Sequence, residues 1–115
     1  MTKPPLSPFR VAGNLVFLSG VLPKDRDGLA LEGDIEAQTS AVLEQLSTTL
    51  LSAGSSLAQV IRVGAFLSHL ERDFDGFNRV YREYFSEPYP ARTTVGATLR
   101  QALVEIDVVA LIADE

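Results

Sequence analysis

The chain has 115 residues, 46% of them hydrophobic and 22% charged, and its 10 Lys and Arg against 15 Asp and Glu give a net charge of −5. That size suits a single domain spanning 1–115, and that charge speaks against a nucleic-acid partner, whose phosphates call for a positive surface. The lack of cysteine and the single histidine, His69, exclude disulfides, thiolate chemistry and multi-histidine metal sites.

The first ten residues carry Pro4, Pro5 and Pro8, which predicts an extended arm rather than a helix. Residues 1–5 lack the apolar core of a signal peptide, and no stretch approaches a membrane span, so a cytoplasmic protein is expected. Leu15-Val16-Phe17-Leu18, between Gly13-Asn14 and Ser19-Gly20, reads as a short strand with a turn at each end. Residues 23–33 form a polar loop with a turn at Asp27-Gly28 and a second strand near Leu29-Leu31.

Asp34 is a good N-cap for a helix that ends at Gly54, with Ile35, Thr39, Val42, Leu46, Leu50 and Ala53 on its buried face. Residues 60–67 alternate as a strand. A second helix is expected from near Asp73, with Phe74, Phe77, Val80-Tyr81 and Tyr84-Phe85 as an aromatic stripe read as core; Pro88 and Pro90 end it. Two strands follow, 90–96 and 103–110, and the short connection 98–102 predicts that they pair antiparallel. The resulting fold class is α+β, one sheet with both helices packed on a single face. The bare face of such apolar strands would be covered by oligomerisation.

Alternation places Arg92 and Thr94 on one face of the first closing strand and Glu105 and Asp107 on one face of the second. If the two strands paired, a guanidinium and a carboxylate would face a shared space. Arg92 is either an edge arginine paired with a surface carboxylate or a planar fork for a substrate carboxylate. Glu105, inside an apolar run, is either on the wet face of a strand or a general acid/base holding a water. By residue type, Ser19-Gly20 is a turn pair, and Asn78 and His69 are structural. No phosphate loop, Ser-His-Asp order or metal spacing is present.

Four stretches together resemble the RidA/YjgF family of enamine/imine deaminases: Gly13-Asn14-Leu15-Val16-Phe17-Leu18-Ser19-Gly20; Phe77-Asn78 with Val80-Tyr81 and Tyr84-Phe85; Pro90-Ala91-Arg92-Thr93-Thr94-Val95; and Leu103-Val104-Glu105-Ile106-Asp107-Val108-Val109-Ala110. The resemblance runs from about residue 6 to 112. It implies a chorismate-mutase-like fold and a homotrimer with a barrel-like core and active sites between subunits. It also implies a 2-imino or enamino acid substrate such as 2-aminoacrylate, hydrolysed without a metal or organic cofactor. By the same resemblance Arg92 binds the substrate carboxylate and Glu105 positions water. The backbone of Thr94, the Ser19-Gly20 pair and Asn78 line the cleft.

The chain departs from the family pattern at three places. Phe9 is the nearest aromatic where a cleft tyrosine is expected, Val21 stands where glutamine often follows Ser-Gly, and Leu99-Arg100-Gln101-Ala102 lacks the usual Pro and Gly. The first two remove polar groups from the cleft and motivate the alternative, a non-catalytic trimer that binds small carboxylic acids or a protein partner.

Overall fold

The computed structural model describes residues 3–112. Five strands, β1 (Phe9–Ala12), β2 (Leu15–Val21), β3 (Val60–Leu67), β4 (Ala91–Gly96) and β5 (Val104–Leu111), form one sheet in the order β1-β2-β5-β3-β4. Two helices, α1 (Ile35–Ser52) and α2 (Leu70–Tyr84), pack on one face of it. Among the described residues no helix is long and apolar enough to cross a membrane.

The Asp34 carboxylate starts α1 by accepting from the Ala37 N–H at 2.9 Å, satisfying one of the donors that a helix N-terminus leaves unpaired. Ile35, Thr39, Val42, Leu46 and Leu50 recur at three- and four-residue spacing and are buried, joined by Gln38 and Leu43. Gly54, at φ +84°, takes the left-handed conformation that closes the helix without a Cβ clash. Asp34→Ala is expected to destabilise the fold by about 1 kcal/mol and lower its melting temperature by about 5 °C. Thermal unfolding followed by circular dichroism checks this, and an unchanged midpoint would deny the cap its role.

Period-two alternation decides the two sheet faces. In β5 the side chains of Val104, Ile106, Val108 and Ala110 are buried under the helices, while Glu105, Asp107, Val109 and Leu111 are half-buried on the other side. Val16 and Leu18 of β2 and Val63, Ala65 and Leu67 of β3 complete the core against Leu46, Phe77 and Tyr81. The other face carries no helix and leaves Phe17 and Val95 exposed.

Four expectations are corrected. First, β4 does not pair with β5. It runs parallel to β3 (Val63↔Arg92, Ala65↔Thr94), and β3 in turn pairs antiparallel with β5. A helix between two strands carries the chain back to the end where the first began, so β3, α2 and β4 form a parallel crossover unit. Residues 97–103 then cross the end of β3, held by Ala97 N–H to Leu67 O, Ser68 N–H to Leu103 O and Leu103 N–H to Gln38 Oε1.

Second, α2 begins at Leu70, three residues before Asp73. Asp73 is a buried first-turn residue gripped through both oxygens by Arg72, at 2.8 and 3.0 Å; an acid is favourable there for the same dipole reason that makes it resemble a cap. Third, Leu29-Leu31 forms no strand, only an isolated bridge between Lys24 and Ala30. Fourth, the arm turns into strand at Phe9: β1 pairs with β2 across the two-residue loop Gly13-Asn14.

Candidate active site

Phe77 and Tyr81 on the buried side of α2 and Phe85 at its C-cap follow one another at four-residue spacing, with ring centroids 5.7 and 4.6 Å apart. Arg92, on the edge strand β4, faces this row: its Cζ lies 4.6 Å from the Tyr81 centroid and 5.2 Å from that of Phe77. Stacking on ring faces holds a guanidinium in place through its plane and leaves the N–H fork at its rim free for a ligand. Phe77, Tyr81 and Phe85 are therefore core and platform at once, whereas Phe74, read as part of the same core stripe, points outward and is exposed. Arg92 also has no acidic partner among the described residues.

The space beside Arg92 is a cavity of about 260 Å³ lined by Asn78, Tyr81, Arg82, Tyr89, Pro90 and Arg92. Tyr81 Oη is buried with no acceptor for its proton among the described residues, and the Arg92 guanidinium, which can only donate, lies near enough to act on it. Burial raises its phenol above the ordinary tyrosine value, with the Arg92 charge acting in the opposite sense. Thr94 is two residues along from Arg92 on the same face, half-buried, on a strand with no further neighbour.

Glu105 stands on the opposite face of the sheet, and its surroundings are set by an irregularity in β2. Leu18 is paired with Val108 and Val21 with Ile106, so Ser19 and Gly20 together face the single residue Asp107, a β-bulge. Ser19-Gly20 is thus a bulge within a strand that continues to Val21, not the turn that residue type predicts. A Cβ on Gly20 would lie 2.5 Å from Glu105 Oε2, so the glycine supplies the room that the carboxylate occupies. The Ser19 hydroxyl donates to Ser7 O at 2.6 Å, and its N–H to Pro8 O at 3.0 Å. These two bonds tie the arm down, and Pro4, Leu6 and Pro8 then wall a cavity of about 420 Å³ that also contains Ser19, Gly20 and Glu105.

One chain therefore holds two separate cavities on opposite faces of the sheet. Asn78 joins Arg92; Ser19 and Gly20 join Glu105; and the expected shared space between Arg92 and Glu105 does not exist within the chain. The side chains alternate as predicted, but β3 intervenes between β4 and β5, and its register puts Arg92 level with Val63 under the helices and Glu105 level with Phe66 on the bare face. Phe9, expected in the cleft, pairs with Leu18 and packs against the core, lining neither cavity. The Asp107 carboxylate lies over Gly64, and His69 occupies the N-cap position of α2 with Nδ1 3.0 Å from Ser68 Oγ. Tyr81, Arg82 and Tyr89 were not anticipated as cavity residues. The signal available for two of them was their spacing from Asn78, three and four positions along one helix face.

A family model described as Endoribonuclease L-PSP matches residues 2–112. The 3-aminoacrylate deaminase RutC of Acinetobacter baylyi is 42% identical over 115 residues, covering 95% of this chain and 90% of that protein. Among solved structures, RidA from the Antarctic bacterium Psychrobacter superposes with a TM-score of 0.88 at 32% identity, covering 97% of this chain and 92% of that one. A YjgF family member from Neisseria meningitidis gives 0.87 at 30% identity, with 99% and 92% covered. Sequence, sheet order and helix placement agree, and the chain belongs to the RidA/YjgF family, the one whose model carries the Endoribonuclease L-PSP description.

Proposed function

We propose that this protein hydrolyses 2-imino and enamino acids to 2-oxo acids and ammonia, as a homotrimer in which the Arg92 half-site of one copy meets the Glu105 half-site of the next. The carrying observation is the division of complementary chemistry: a free guanidinium on a rigid aromatic platform on one face, a carboxylate beside a bulge on the other. The deaminase name of the Acinetobacter relative supports the reaction class. The net charge of −5 makes ribonuclease chemistry a poor fit.

In this reading the Arg92 fork takes the substrate carboxylate, aided by the Asn78 amide and the backbone N–H of Thr94 at the sheet edge. Glu105 orients a water toward the C=N carbon and accepts its proton. The new C–O bond gives a tetrahedral carbinolamine. Glu105 returns that proton to nitrogen, then takes the carbinolamine hydroxyl proton and passes it to nitrogen as well, so that the C–N bond breaks, the C=O bond of the 2-oxo acid forms and ammonia leaves. The imine is already electrophilic, so alignment and one carboxylate that shuttles both protons suffice.

The test uses imines generated in situ by an amino-acid oxidase, with semicarbazide trapping what escapes hydrolysis. Wild type is expected to suppress the semicarbazone, and Glu105→Gln to lose about 10²-fold in kcat. No suppression with any imine would remove the deaminase reading and favour a carboxylic-acid binder. Undiminished turnover in Glu105→Gln would remove Glu105 from the chemistry.

A further inference from the structure

A monocarboxylate needs one guanidinium, yet the cavity beside Arg92 holds two. Arg82 lies four residues after Asn78 on α2 and lines the same space, so Asn78, Tyr81 and Arg82 share one helix face. Elsewhere on α2 the arginines are matched with acids: Arg72 with Asp73, Arg79 with Glu36. Arg82 and Arg92 have no such match among the described residues, and no acidic side chain lines their cavity.

The position of Arg82 in the last turn of α2 gives it a favourable interaction with the helix dipole. That accounts for a cation at the helix end, not for two uncompensated cations around one cavity in a protein of net charge −5. A second observation points the same way. Tyr81 Oη is buried; Arg92, near enough to bear on its ionisation, can only donate to it, so its O–H has no acceptor among the described residues. An unpaired buried hydroxyl is costly, and a ligand oxygen entering between the two guanidiniums would supply its acceptor.

We infer that this cavity selects substrates with a second acidic group, short-chain 2-imino dicarboxylates, with Arg92 on the carboxylate next to the imine and Arg82 on the distal one. The volume of about 260 Å³ is at the small end for ligand cavities and suits a short acid. Arg82 is then a specificity-determining residue. The substrate class rests on the deaminase reading above; the ligand preference does not.

Two measurements separate them. In the first, 2-iminosuccinate is made from D-aspartate by D-aspartate oxidase and 2-iminopropanoate from D-alanine by D-amino-acid oxidase, and the ratio of their kcat/KM values is compared between variants. Arg82→Gln is expected to lower the ratio, dicarboxylate over monocarboxylate, about tenfold, chiefly through KM. Arg79→Gln, which removes the same charge from α2 outside the cavity, should leave the ratio as in wild type. In the second, calorimetry compares 2-oxoglutarate with 2-oxobutanoate. Wild type should bind the diacid about tenfold more tightly, and Arg82→Gln should abolish that preference. Equal affinities in wild type, or a preference that survives Arg82→Gln, would overturn the inference. A preference lost in Arg82→Gln with no imine turnover at all would sustain the diacid site and refute only the catalytic reading.

Discussion

Arg92→Ala is expected to lower kcat/KM for imine hydrolysis by about 10³-fold while the fold survives. The guanidinium serves the ligand and the protein in different ways. For the ligand, in the proposed reaction, it is the one of the cavity's two cations that holds the carboxylate next to the imine, and its loss removes both charge and two-pronged geometry. For the protein, its contribution is contact with the rings of Tyr81 and Phe77 at 4.6 and 5.2 Å, about 1 kcal/mol at a partly solvated position. Arg92→Lys should keep the charge but recover only part of the activity, because an ammonium cannot present a planar fork. Kinetics with in situ imines, alongside a melting curve for each variant, distinguish the two roles. Wild-type turnover in Arg92→Ala would dismiss the arginine as the carboxylate anchor.

The largest stability effect is expected at Phe77. Its ring is fully buried, opens the aromatic row and touches both Tyr81 and the guanidinium of Arg92. Phe77→Ala should cost about 3–5 kcal/mol, from lost burial plus the void that the neighbours cannot fill. Denaturant unfolding with an unchanged m-value would report it. A loss below about 1 kcal/mol would mean that α2 collapses onto the sheet without the ring. Because the same ring supports Arg92, whatever Phe77→Ala protein stays folded should also bind carboxylates more weakly than wild type. In this molecule the core and the ligand platform are one structure.

The amphipathic period of α1 and the alternation of β5 were legible in the sequence because each depends on neighbours within a few residues. Asp34 and Gly54 bracket α1 as capping chemistry requires, and Val104, Ile106, Val108 and Ala110 all face the core. What could not be read were pairings set by distant chain. Arg92 and Glu105 lie 13 positions apart, and the short connection between their strands looked like a hairpin. Only the crossover through α2 puts β3 between them and sends them to opposite faces. A bulge is equally hidden, since Ser19-Gly20 has the composition of a turn and only the register against β5 shows two residues facing one. Phe9 belongs to a strand of four residues, too short for alternation to say which way it points. Arg82 escaped notice because a basic residue at a helix end reads as a solvated charge.

No residue lines both cavities: Asn78, Tyr81, Arg82, Tyr89, Pro90 and Arg92 bound one, and the arm, the bulge and Glu105 bound the other. Within one chain, the effects of substitutions in the two on stability are therefore almost additive. A lineage carrying this fold can therefore exchange side chains along the outer turns of α2 and alter which acids it accepts, without disturbing the strand that carries Glu105. The converse holds for the arm, whose length and prolines can drift without loosening the grip on the carboxylate. In the proposed trimer such modularity would let selection tune recognition and reactivity as separate traits, each on its own side of the sheet.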